Sequence, residues 1–132
     1  MNTETTPVTP HSLTEHKGNF LNDHIHIKTV GGRTAGGAFK GYQIDLEDLA
    51  YGVHLEGPPI QFQEGNPSDG INGISNEALL AIVADRLRGF DAGPFRTREN
   101  SLAITHLELV LFYLQKRTAE RVARGVEGQQ VK

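Results

Sequence analysis

SNEALLAIVADRLRGFDAGPFRTRENSLAITHLELVLFYLQKRTAERVARG, residues 75–125, decides the fold class. Ser75 is a good N-cap, Glu77 lies in the first turn where the helix dipole favours an anion, and Ile74 and Leu79 stand at staple positions. Leu79, Ile82, Val83, Leu87 and Phe90 recur at spacings of three and four, which gives one apolar helical face. Gly89 and the string DAGP then end that helix. A second, longer helix starts near Thr97 or Arg98, carries Leu102, Ile104, Leu107, Val110, Leu111 and Leu114, and stops at Gly125 after about Ala123. The short connector makes the two helices antiparallel.

Upstream the period changes. His24 to Val30 alternates polar and apolar, which marks a half-buried strand with Ile25, Ile27 and Thr29 toward the core. GGRTAGGAFKG, residues 31–41, turns the chain into a second strand, Phe39 to Ile44. A short strand is expected around Tyr51 to Leu55 and another at Ile60 to Gln63, after Gly57, Pro58 and Pro59 have stopped regular structure. EGNPSDGINGIS is a cluster of turn formers that closes this part. The expected class is α+β: a small N-terminal antiparallel β-sheet followed by a C-terminal antiparallel helical hairpin. Residues 1–21, rich in Thr and Pro without apolar periodicity, are expected to be a flexible arm; residues 22–132 form a single domain, with 22–66 as its sheet part and 74–124 as its hairpin.

Composition agrees with one domain. The chain has 132 residues, 37% of them hydrophobic and 22% charged, and a net charge of −3. That balance argues against coating of DNA or RNA, and no apolar run is long enough to cross a membrane. Cysteine is absent, which excludes disulfide and thiolate chemistry. The N-terminus lacks the basic start and apolar stretch of a secretory signal, so a cytoplasmic protein is expected. Residues 1–74 hold four basic and nine acidic side chains, residues 75–132 nine basic and seven acidic. An anion therefore finds its host in the second half.

No catalytic constellation is visible, and no cofactor motif. His24 and His26, two apart on a strand, point the same way, but no third ligand is placed beside them; a solvent-facing strand edge is the favoured reading over a metal site. The glycine loop lacks the G-x-x-x-x-G-K-[ST] spacing of a phosphate cradle and leads into a strand, so it reads as a hairpin turn. Arg117, Arg121 and Arg124, spaced by four and three, project from one side of the second helix. The favoured reading is a solvated basic stripe, with a fork-shaped partner for phosphates as the alternative. Phe90 and Phe95 flank the interhelical turn, where core packing is the favoured reading over a stacking face for a base. Leu109, Phe112 and Tyr113 widen the apolar surface of the second helix beyond one face, which predicts a homo-oligomer, either a dimer or a trimer of dimers.

The strings NEALLAIVADRLRGF, GPFxxREN and RTxxRxxRGVEG within residues 70–128, with NDHIHI and IQFQ upstream, resemble the phage Thoeris anti-defence family, whose helical hairpin is shared with anti-CBASS sponge proteins. The resemblance implies a non-enzymatic sponge. Such a protein binds cyclic ADP-ribose isomers (gcADPR-type) made by TIR-domain sensors, at a dimer interface, and holds them uncleaved in the host cytoplasm. By position it implies Phe90 for stacking, Asn100 for polar recognition, and Arg117 and Arg121 for the pyrophosphate. A second site for cyclic di- or trinucleotides falls on Arg96, Thr97, Arg98 and Arg124. Thr97 stands where family members commonly carry Cys, and the acidic stretch 45–56 is unlike the family.

Two other classes compete. A hydrolase of the same messenger needs an acid/base pair or metal near the arginines, for which Glu99, Glu108, Glu120 and His106 are the nearby groups. A ligand-free oligomerisation module needs none of them.

Overall fold

The computed structural model describes residues 9–48 and 52–125, and the chain divides into two compact units, Met1–Glu64 and Gly65–Lys132. The first is an antiparallel sheet. Its elements are β1 (Ser12–Leu13), a single helical turn α1 (Phe20–Asp23), β2 (Ile25–Arg33), β3 (Phe39–Asp48), β4 (Val53–Glu56) and β5 (Ile60–Gln61). The order is β1-β2-β3-β4, with β5 also on β3. Opposite partners explain the register: Leu13 faces Ile27, Ile27 faces Ile44, and Ile25 faces Leu46, which gathers the branched side chains on one face of the sheet. The other face pairs Ser12 with Lys28, Lys28 with Gln43, and His26 with Asp45.

Three features of the sheet depart from the sequence expectation. The stretch expected as an arm supplies the edge strand: the Thr29 Oγ1 accepts the His11 N–H at 2.8 Å, and the Thr29 N–H donates to the His11 carbonyl at 2.8 Å. Thr29 is 2% exposed, and these bonds satisfy its buried polar group. Residues 1–8 of that arm lie outside the described residues. Next, the first strand runs on through Gly31 and Gly32 to Arg33, because a bulge between Val30 and Arg33 absorbs the irregularity with Gly31 at φ +78°. The turn proper is Thr34 to Ala38, closed by Thr34 N–H to Ala38 O at 2.8 Å, with Gly37 at φ +94°. Last, β3 continues past Ile44 to Asp48 because β4 pairs with its acidic end. β4 begins at Val53 rather than Tyr51, which is not among the described residues, and β5 is two residues long.

In the second unit a 3-10 turn at Pro67–Asp69 precedes α2 (Asn76–Asp91) and α3 (Arg98–Ala123). Ser75 caps α2 by accepting the Ala78 N–H at 3.0 Å, and Thr97 caps α3 by accepting the Asn100 N–H at 3.1 Å. Gly125, at φ +73°, ends α3. Gly89 does not end α2: the helix keeps its bonding for two more residues, and the Ala92 N–H still reaches the Arg88 carbonyl at 3.0 Å. The helices are antiparallel, as Asp91 meets Ser101 near the turn and Arg88 meets Glu108 further along. Ala84 and Ile104 are the buried apolar residues at their contact.

Candidate functional site

The turn end of the hairpin collects one set of the expected residues. Phe90 lies in the last turn of α2 and is 44% exposed, with the Arg86 guanidinium 5.9 Å from its ring centroid, within cation–π range. Asn100 is the third residue of α3 and half-buried; its backbone N–H is taken by the Thr97 hydroxyl, so Thr97 acts as a helix cap. Asp91 and Ser101, the residues that follow Phe90 and Asn100, are joined by a Ser101 Oγ–H to Asp91 Oδ1 bond of 2.7 Å. Arg96 reaches the same carboxylate at 3.9 Å, and Arg98 is exposed. Phe95, expected to pack in the core, is instead 71% exposed at the turn. The free first-turn amides of α3 and its dipole give this end a positive field.

The far end of α3 carries the other set. Arg117 and Arg124 are exposed, but Arg121 is 5% exposed and is not left without a partner. The expected stripe of three arginines on one side is therefore divided between solvent and interior. The cause is the seven-residue spacing of Leu107, Leu114 and Arg121, which carries Arg121 along the inner row of the helix. At about 1.5 Å per residue, Arg117 stands roughly 26 Å along α3 from Asn100, and Arg121 roughly 32 Å. Phe90 and Asn100 each adjoin a partner of the Asp91–Ser101 bond at the turn end; Arg117 and Arg121 stand toward the far end of α3.

Between the two ends, α3 has a second apolar face. Leu102, Leu109, Phe112 and Tyr113 fall within about 100° of its circumference, opposite Leu107, Leu111 and Leu114. Phe112 is 56% exposed and Tyr113 62%, and their rings meet edge to face at 5.3 Å.

The acid/base candidates do not converge. Glu99, Glu108 and Glu120 are strung along α3 at intervals of about 14 and 18 Å. Glu108 sits 4.0 Å from Arg88, and Glu120 3.9 Å from Lys116. In the first unit the His24 and His26 rings both turn to Glu47, at 3.9 and 2.5 Å. Among the described residues no group of three or more His, Asp or Glu is arranged to hold a metal ion. Arg86, Asp91 and Ser101 were not marked by the sequence reading; the spacing of four from Arg86 to Phe90 was the one signal available, since the Asp91–Ser101 bond exists only once the helices pack.

With this geometry in hand, two comparisons bear on the chain. Residues 56–119 match the family described as Acb2/Tad1, hairpin domain. A relative, Thoeris anti-defense 1 of Bacillus phage SBSphiJ7, is 51% identical over 70 residues, which are 52% of this chain and 49% of that protein. The chain thus spans about half the length of the curated relative that it matches.

Proposed function

We propose, on the match of residues 56–119 to the Acb2/Tad1 hairpin domain, that this chain is a phage anti-defence protein that sequesters a cyclic nucleotide messenger of Thoeris immunity. The ligand is a cyclic ADP-ribose isomer of the gcADPR type, made by a TIR-domain sensor and held without being cleaved. Capture removes the messenger from the host cytoplasm before an effector senses it. No helix among the described residues is long and apolar enough to cross a membrane.

The observation that supports this reading is the separation of the expected binding residues between the two ends of the hairpin. A stacking ring and an amide, Phe90 and Asn100, sit at one end, and the guanidinium Arg117 sits about 26 Å away at the other. A dianionic pyrophosphate flanked by a base needs both sets at once. A second copy, laid antiparallel along the outer face of α3, supplies the exposed Arg117 to the Phe90 and Asn100 of its partner, while Arg121 stays packed within its own chain. Leu102, Leu109, Phe112 and Tyr113 are the exposed apolar residues for that contact. A symmetric pair of this kind makes two equal sites, and burial between subunits gives affinity without reaction chemistry. A trimer of such dimers is the larger assembly this chain would form.

A second anion site for cyclic di- or trinucleotides falls to Arg96 and Arg98 at the start of α3, with Arg124 from another copy. Thr97 accepts the cap bond through its hydroxyl oxygen and keeps its O–H to donate to an anion there. A hydrolase of the same messenger is the competing reading, which the recovered product decides.

The test mixes purified protein with a cyclic ADP-ribose isomer produced by a TIR enzyme, removes free ligand by filtration, denatures the protein by heat and analyses what is released. Depletion with recovery of unchanged ligand is expected. Recovery of a linear product identifies a hydrolase, and no depletion refutes the messenger assignment.

A further inference from the structure

We infer that Asp91 and Ser101 are positioning residues, which set the separation of Phe90 and Asn100 before any ligand arrives. Phe90 precedes Asp91 at the end of α2, and Asn100 precedes Ser101 at the start of α3. The 2.7 Å bond from the Ser101 hydroxyl to the Asp91 carboxylate therefore ties together the two backbone segments that carry the half-site. It is a charge-assisted bond, shorter and stronger than one between neutral groups. Arg96 stands 3.9 Å from the same Asp91 oxygen and helps to hold the carboxylate in place. Asn100 is fixed from its other side as well, because Thr97 accepts its N–H at 3.1 Å. Neither Asp91 nor Ser101 needs to touch the ligand. Their part is to keep a ring and an amide at a constant spacing across a turn that otherwise rests on the short connector 92–97.

The role for nucleotide affinity rests on the function proposed above, whereas the positional claim does not, and the test separates them. In the free full-length chain, Ser101→Ala is expected to shift and broaden the NMR signals of the Asn100 side-chain amide and the Phe90 ring, and Ser101→Thr, which keeps the hydroxyl, to restore them. With a cyclic ADP-ribose isomer as probe, Ser101→Ala is expected to weaken binding about tenfold through faster dissociation, and Ser101→Thr to return it to within about twofold. A role confined to stability would lower the melting temperature but leave the affinity of the folded protein and its restoration by Thr unchanged. Unaltered Asn100 and Phe90 signals in Ser101→Ala overturn the inference, as does wild-type affinity in that variant. Failure of the wild-type chain to bind overturns the nucleotide reading instead, and the NMR arm still decides the positional one.

Discussion

Arg117 and Arg121 stand one turn apart on α3 and face different surroundings, so one substitution made at each has two different meanings. Arg117 is exposed, and its replacement by Ala removes a charge without opening a cavity or orphaning a buried group. Arg117→Ala is expected to leave the melting temperature within about 1 °C of wild type and to weaken capture of a cyclic ADP-ribose isomer at least tenfold, as titration calorimetry reads. Arg121 is 5% exposed and partnered. Arg121→Ala is expected to cost about 2–3 kcal/mol in urea unfolding, because a buried polar contact and the packing of a long side chain are lost together. Equal stability of the two variants would contradict the placement of Arg121. At this scale the sequence was half legible: the spacing of four and three put the arginines on one side, but the row Leu107, Leu114, Arg121 decides which of them turns inward, and an arginine on an apolar row was read as a member of the stripe.

Elements were legible where the signal is local. The caps Ser75 and Thr97 and the stop at Gly125 lie within a residue or two of the helix ends, and each is fixed by groups three or four positions away. The sheet was less legible, since the length of β3, the bulge after Val30 and the edge strand at Ser12–Leu13 depend on pairing with other strands, at separations of 5 to 16 residues in the chain. The hairpin turn shows what the glycines do. Gly37 is held at φ +94°, where an added Cβ meets no neighbour but the backbone itself is strained for any other residue. Gly37→Val is expected to cost about 1–2 kcal/mol of stability by thermal unfolding while leaving the far-UV signal of the helices intact. The outer face of α3 gives the complementary prediction. Leu109→Glu with Phe112→Glu places charge on exposed apolar positions, so it is expected to reduce the assembly to monomers by light scattering with helicity retained. An unchanged mass in solution would remove this face from the interface.

For the whole molecule, the function proposed above requires that no single copy own a complete site. Asn100 and Arg117 lie about 26 Å apart along α3 of one chain, and the proposed pairing of copies would bring Phe90 and Asn100 of one to Arg117 of the other. The most direct measurement is subunit complementation. Phe90→Ala chains and Arg117→Ala chains, each deficient in capture alone, are unfolded together, refolded as a mixture, and titrated with a cyclic ADP-ribose isomer. Random pairing gives mixed dimers in which one of two sites draws an intact Phe90 from one copy and an intact Arg117 from the other, so about a quarter of all sites are expected to recover wild-type affinity. No recovery, with both variants folded and able to exchange subunits, would contradict the shared site.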